Sequence, residues 1–384
     1  MEKNKKSEII FSEKNILETY PKSSQEIVKQ YYKVLELRKS GKRIGSLTIS
    51  RKLKVPQSRI KNWIYENKKP EPLHILETLK ENNLIPLVLD ENDEKFLFLV
   101  RLCAFSFGDG HIEHKKNGNI TRFLFYGKKE DLEVIRRELK IFCKLNSIVE
   151  KNAHNKNGYR IKPSGNGGAA LARLLVAMGA PIGDKIITPF LLPKWLLNSN
   201  DKTISQFLGV LFANELTTPI LEKRRSIKAI RFSMNKHEKY INFGIEFMKQ
   251  IKKLLNNLNV KTTNIKTAES DKRKDGNSYK IYFRIMNNGI NLLRFHKNLY
   301  FFYAKKKQRK IDSIVNIIKP QFRENLMKIE KYESAMVMKK QFNIGKVKIS
   351  RILNENTNTV GSWLYQNIQP KYLNDKNEIK ELIK

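Results

Sequence analysis

The sequence predicts an α+β protein: two tandem halves of αββαββα order related by a pseudo-two-fold axis, flanked by small all-α helix-turn-helix domains. Three observations carry this expectation. An apolar segment at 96–112 (FLFLVRLCAFSFGDGHI) has a second copy at 206–219 (QFLGVLFANELTTP). They align as LCAFSFGDG (102–110) and LGVLFANEL (208–216), each an apolar run closed by one acid, Asp109 or Glu215. Turn dipeptides and helical periodicity then recur in like order after both copies. Finally, residues 44–73 match 344–373 at a constant offset without a gap, with eleven of thirty positions identical.

Composition narrows the partner. The 384 residues hold 75 Lys+Arg against 38 Asp+Glu, a net charge of +37. Such an excess opposes compactness unless a polyanion neutralises it, so nucleic acid is expected. Two cysteines, Cys103 and Cys143, exclude a disulfide framework and a Cys-based zinc site and suit a reducing cytosol. The N-terminus lacks an apolar signal core, and the longest apolar run, 96–107, is broken by Arg101 and falls short of the roughly 20 residues a membrane span needs. A cytoplasmic protein without a membrane partner is expected.

Taken in order, residues 1–22 read as a polar, ill-ordered tail, and 23–80 as a helix-turn-helix domain. Ser caps open a helix at 23–41 that Gly41 stops, with Ile27, Tyr31, Val34 and Leu35 on one face. Short helices near 47–54 and 57–66 flank a turn at Val55-Pro56, with Ile49, Leu53, Ile60 and Trp63 as their core. Gln57, Ser58, Arg59, Lys61 and Asn62 are then free to face a major groove. The repeat at 321–375 keeps the core positions and changes the presumed readers to Thr357, Asn358, Thr359 and Gly361, so two modules on one scaffold would read different sequences. As the second copy is less basic, packing caps are the alternative.

The first half covers 94–196, with hairpins expected around Asn117-Gly118 and Asn157-Gly158 and helices near 129–145 and 168–178. The second covers 200–318, with strands near 217–221, 228–234, 261–268 and 279–285, the last two around Asp275-Gly276, and helices near 237–258 and 288–298. Small residues at Ala104, Gly108, Gly209 and Ala213 would let the two motif helices approach closely. Their C-terminal ends would then bring Asp109 and Glu215 together, where like charge and helix dipoles demand a cation. Hard oxygen donors select Mg²⁺, or Mn²⁺.

These motifs resemble the LAGLIDADG (DOD-type) homing endonuclease family in its two-motif monomeric form. The resemblance extends over roughly 96–318 through two further landmarks: 178–196 (MGAPIGDKIITPFLLPKWL) and the basic segment 303–311 (YAKKKQRKI). Phe107 and Ser106 depart from the namesake motif, as do Asn214 and Leu216, but neither acid is lost. The resemblance implies site-specific cleavage of double-stranded DNA by a monomer, with Asp109 and Glu215 as catalytic metal ligands and Lys185 and Lys307 as catalytic lysines. Gln206 and Gln308 are candidates to orient water. The strands would form a saddle in the major groove, with Arg122, Lys228, Arg231, Ser233, Lys280 and Arg284 as candidate DNA contacts. His111, Glu113 and His114 read as DNA-facing rather than metal-binding. Tyr279, Tyr282 and Phe283 read as core. The chain opens without a splicing nucleophile and closes without a His-Asn pair, so a free-standing or intron-encoded enzyme is expected rather than an intein. The rival readings are a non-cleaving transcriptional regulator on the same fold and an RNA-splicing maturase.

Overall fold

The structure is a computed structural model that describes every residue except 1–9, 41–43, 116–117, 153–157, 222–226, 229 and 274. Gly41, Asn117 and Asn157, expected as a helix stop and in two turns, lie outside the described residues.

The N-terminal region is ordered earlier than its polarity suggests. Strand β1 (Ile10–Phe11) pairs antiparallel with β2 (Leu87–Val88), and α1 (Glu13–Glu18) follows. The tail expected over 1–22 is therefore structured from Ile10, because Ile16 and Tyr20 are buried. Helix α2 (Lys22–Lys39) starts behind Pro21 without a side-chain cap, not on the expected serines. Pro21 presets the backbone at that point. Next come α3 (Ser46–Leu53), α4 (Gln57–Ile64) and α5 (Glu71–Glu81). Ile49, Ile60 and Trp63 are buried between α3 and α4, and Trp63 meets Tyr31 of α2 edge to face at 5.6 Å.

Helix α6 (Glu94–Phe107) is capped by Asp93, whose side chain accepts the backbone N–H of Lys95. It is apolar almost all round and buried from Phe96 to Phe107, as expected of a helix enclosed on every side. After it come β3 (Gly110–His114), β4 (Ile120–Gly127), α7 (Lys129–Cys143), β5 (Ser147–Lys151), β6 (Tyr159–Pro163) and α8 (Gly165–Ala177). The strands make one antiparallel sheet of order β3-β4-β6-β5. The buried Arg173 of α8 ties it to the N-terminal region. Its guanidinium donates to the Thr19 carbonyl at 2.7 Å and lies 3.5 Å over the Tyr20 ring, whose hydroxyl donates to Glu71.

A short helix α9 (Lys194–Leu197) leads into α10 (Asp201–Glu215), capped by Asn200. Next are β7 (Arg231–His237), α11 (Ile241–Asn257), β8 (Lys266–Arg273), β9 (Gly276–Arg284) and α12 (Gly289–Asn298). The second sheet runs β7-β9-β8, which repeats the last three strands of the first sheet. Its expected first strand, 217–221, does not form a ladder among the described residues. Only isolated bridges occur there, Leu216 with Phe232 and Leu221 with Ile227. Pro219 removes one of the donors such a ladder needs.

Helix α13 (Lys305–Phe342) is 38 residues long and runs through Pro320, so the boundary expected between 318 and 321 falls inside one helix. Proline removes one internal bond at a cost of about 3 kcal/mol. Ile318, Phe322 and Leu326 keep the apolar stripe buried across it, each contributing about 1.5–3 kcal/mol. The last turns of α13 pack with α14 (Lys346–Leu353) and α15 (Thr357–Tyr365) around Tyr332, Ala335, Ile349, Val360 and Trp363, and α16 (Lys376–Ile383) closes the chain. Trp363 meets Tyr332 edge to face at 5.8 Å, matching the Trp63–Tyr31 contact. The terminal repeat thus includes the helix preceding it.

Helices α6 and α10 pack along each other, and one buried polar network crosses between their neighbourhoods. Arg101 of α6 donates to Gln206 (2.7 Å), to the Tyr303 hydroxyl (3.0 Å) and to Glu138 of α7 (3.1 Å), while Tyr303 donates to Glu138 at 2.6 Å. Removing one partner of a buried pair strands the other. Arg101→Ala is expected to destabilise the protein by about 3 kcal/mol or more in denaturant melts, and Arg101→Met with Glu138→Leu by less than that single change. A single variant as stable as wild type contradicts this role.

Candidate functional site

The C-terminal ends of α6 and α10 meet, and each delivers one acid. Gly108 lets them come close: a Cβ there would lie 2.8 Å from the Cβ of Asn214 on α10. Phe107, where the motif's namesake carries an acid, fills core space instead, 5.5–5.8 Å from Phe207, Phe190 and Phe247. Ser106 donates to the Cys103 carbonyl. Gly209, expected at the helix-helix contact, makes room for another segment: its missing Cβ would sit 2.3 Å from the Tyr300 carbonyl.

Asp109 is exposed on its open side yet sits in a concave site with dense protein behind it, so desolvation raises its pKa, and Lys185 and Lys307 pull it back. Glu215 is half-buried, and desolvation followed by the charge of Asp109 raises its pKa to about 7. The repulsion is felt by Glu215 because it ionises second.

The two lysines occupy like places. Lys185 donates to the carbonyls of Ser106 (3.2 Å), Gly108 and Gly110 (2.9 Å). Lys307 donates to those of Phe212 (3.3 Å), Ala213 (2.6 Å) and Leu216 (2.7 Å). Each ammonium thus satisfies carbonyls that a helix end leaves without partners and offsets the negative end of its dipole. Burial lowers both lysine pKa values, that of Lys307 to about 8, while the two acids counteract it.

Gln206 and Gln308 are spoken for. Gln206 accepts from Arg101; Gln308 accepts the Phe301 N–H at 2.8 Å and donates to Asp312 at 2.7 Å. The structure gives both glutamines scaffold contacts through these groups.

The strand register, open in the sequence, is now set. In the second sheet Arg231 faces Arg284, Ser233 faces Tyr282 and Asn235 faces Lys280. These share the open face, while Phe232, Phe283 and Ile281 are buried on the other. Tyr282, expected as core, therefore lies on the open face, with the Arg231 guanidinium 5.6 Å from its ring centre. Lys228 is exposed beyond the strand. In the first sheet Arg122 faces Glu113 and pairs with it, as Arg160 does with Glu150. The pairing commits Glu113, and no cluster of three metal-ligating side chains occurs among the described residues, so His111, Glu113 and His114 do not form one. Gly183, in the left-handed region, places its backbone against His114.

Of the terminal candidates, Ser58, Arg59 and Lys61 are exposed along α4, while Gln57 donates to Ser46 and Asn62 is half-buried. On α15, Asn358 is exposed, Thr357 is hydrogen-bonded to Ser350, and Thr359 is half-buried.

The sequence reading missed Lys236. It is fully buried, donates to the carbonyls of Lys185 and Thr188 at 2.6 Å each, and lies 3.8 Å over the Phe190 ring. Nothing local marks it, since it looks like one more lysine in a basic strand. The amide nitrogen of Asn214 was missed too. It is buried beside the acids without a hydrogen-bond partner among the described residues.

No family model matches the chain. Among curated proteins it is 27% identical over 282 residues to the replication factor C small subunit of Methanocaldococcus jannaschii, a match covering 72% of this chain and 15% of that protein. It is 28% identical over 199 residues to the tRNA-splicing ligase RtcB of the same organism, and 30% over 203 residues to that of Methanopyrus kandleri. These cover 47% and 49% of this chain, and the matches span only 15–20% of the relatives' length. Among solved structures, variants of the homing endonuclease I-DmoI match at a TM-score of 0.35 and 14% identity, over 54% of this chain and 91% of that one. The homing endonuclease I-WcaI bound to its DNA recognition sequence matches at 0.34 and 16%, over 59% and 97%. No helix among the described residues is long and apolar enough to cross a membrane.

Glu215 yields a prediction that needs no substrate. Its folded-state pKa, about 7, lies above the ordinary 4.5, so the folded protein holds the extra proton between those values. Stability attributable to this group is present at acid pH and is lost as pH rises from 4.5 through 7. Without divalent metal, Glu215→Gln is expected to stabilise the protein by about 1–3 kcal/mol at pH 8, with the advantage gone near pH 4. Thermal melts across pH check this, and a pH-independent difference contradicts it.

Proposed function

We propose that the chain is a site-specific endonuclease for double-stranded DNA, of the LAGLIDADG homing type, that uses Mg²⁺ or Mn²⁺. The single observation that carries this reading is the meeting of two acid-terminated helix ends, each braced by its own lysine, beside an open basic sheet face. The donor set fits such an ion. Asp109 and Glu215 would supply hard oxygen ligands, and a dication would offset the burial and the Asp109 charge that raise the Glu215 pKa to about 7. A hard dication that keeps waters and takes phosphate oxygens needs few protein ligands. Bound there, the ion would activate water and stabilise the leaving oxygen.

The chain's own residues do the rest. Asp109 and Glu215 present carboxylates from opposite helices, one serving each strand. Lys185 and Lys307 keep positive charge beside them where negative charge develops on the phosphate. With their protons engaged by helix-end carbonyls, they act through their field and hold the backbone that carries the acids. Arg231, Lys280, Arg284 and Lys228 supply counter-charge for the duplex, with Ser233 between them, and Arg122 does so once it exchanges Glu113 for DNA. The exposed Ser58, Arg59 and Lys61 extend the contact from the N-terminal helix pair. A monomer suffices, because one chain contains both acids.

Cleaved sites selected from a randomised duplex library with Mg²⁺ would define the target. On it, Asp109→Asn and Glu215→Gln should each lower the cleavage rate by at least about 100-fold. Salt-sensitive binding, measured by filter retention, should be nearly unchanged. Cleavage at wild-type rate in either variant sinks the assignment, and specific binding without product under any divalent metal favours a regulator.

A further inference from the structure

The segment carrying Lys185 belongs to the first half of the sequence, yet the second sheet holds it in place. Three residues on strands of that sheet reach it. Lys236 of β7 donates to the Lys185 and Thr188 carbonyls, the His237 backbone N–H donates to the Ile186 carbonyl at 3.0 Å, and Arg273 of β8 pairs with Asp184 at 3.2 Å. Lys236 is the most deeply buried of these residues, and its surroundings are shaped for it. Gly244 of α11 leaves space for its stem, since a Cβ there would lie 2.8 Å from the Lys236 Cγ, and the Phe190 ring lies beneath the ammonium. Its charged neighbours are Asp184, which favours the ammonium, and Lys185, which opposes it.

Among the described residues the other lysine has no such support. Lys236 occupies the last core-facing position of β7, and the corresponding position of β4 is Gly127. Leu132 of α7 lies against Gly127 where Gly244 of α11 faces Lys236. Among the described residues, Gly127 lines a cleft that also borders Asp109 and Lys307. Lys307 instead stands in the first turn of α13, where Asp131 accepts the backbone N–H of Lys305 at 3.4 Å. The two lysines therefore hold equivalent carbonyl sets through unlike supports.

We propose that Lys236 is a positioning residue for Lys185 alone, so that the acid centre on the α6 side depends on a residue of the opposite sheet while the α10 side does not. This rests on the endonuclease reading only for its effect on strand cleavage. Lys236 touches neither acid and acts through the Lys185 backbone. Losing it lets the 185–188 segment shift and moves the Lys185 ammonium off the Ser106, Gly108 and Gly110 carbonyls, while Lys307 keeps its own.

Two measurements on the full chain test this. In the first, limited acetylation with acetic anhydride followed by peptide mass spectrometry reads the accessibility of each amine without DNA or metal. Lys236→Met should raise modification of Lys185 several-fold and leave Lys307 unchanged, and Lys236→Arg should return Lys185 toward wild type. Lys236→Gln, which keeps a donor but lacks the reach, gives the same comparison if the methionine variant does not fold. Unchanged Lys185 modification, or an equal rise at Lys307, overturns the proposal. In the second, duplexes labelled on either strand should show one strand cut about 100-fold more slowly by Lys236→Met and the other near wild-type rate, so that nicked product accumulates. Equal slowing of both strands overturns the strand-specific effect. If wild type cuts neither strand, the endonuclease reading fails, and the acetylation pattern still decides whether Lys236 positions Lys185.

Discussion

Two helix C-termini, each with its own carboxylate, face each other inside one chain, and the rest of the structure answers that electrostatic problem. Aligned peptide dipoles place partial negative charge at both ends, and Asp109 and Glu215 add to it. Two features make the arrangement possible. Apolar packing along α6 and α10, from Phe96 to Phe107 and from Phe207 to Ala213, supplies the attraction that forces the ends together. Lys185 and Lys307 then draw the exposed carbonyls into hydrogen bonds with positive charge. The residual imbalance remains on Glu215, whose pKa burial and then the Asp109 charge raise to about 7.

The same constraint links distant parts of the chain. Lys307 stands in the first turn of α13, and the last turns of that helix build the core of the C-terminal helix pair around Tyr332 and Ala335. A helix of 38 residues spans about 57 Å, so the acid centre and this terminal unit are joined by one semi-rigid element. At the other end, Arg173 and Tyr20 lock the N-terminal helices onto α8. Both terminal units are thereby oriented relative to the sheets.

Much of this was legible in the sequence, because its signals are local. An apolar run closed by an acid, duplicated, gave the paired helices, and a constant-offset repeat gave the terminal helix pairs. Turn dipeptides and alternation located most strands, while 217–221, expected as a strand from the repeating order of the halves, makes only isolated bridges. What stayed hidden depends on contacts between residues far apart in the chain. Lys236 is ordinary in its strand and becomes distinctive only against Lys185, Thr188, Phe190 and Gly244. Gln206 and Gln308 drew attention by proximity to the motifs, but their partners, Arg101 and the Phe301 backbone, could not be read from spacing. The division expected between 318 and 321 falls inside one helix, which the buried stripe across Pro320 holds together.

On the proposed reading, the two helix ends form one cation and phosphate site. Anomalous diffraction from crystals of the protein with a bound duplex and Mn²⁺ tests it most directly. A manganese peak is expected within coordination distance of both the Asp109 and the Glu215 carboxylates, beside a DNA phosphate oxygen. Metal peaks confined to surface carboxylates, with none between these two acids, would contradict it.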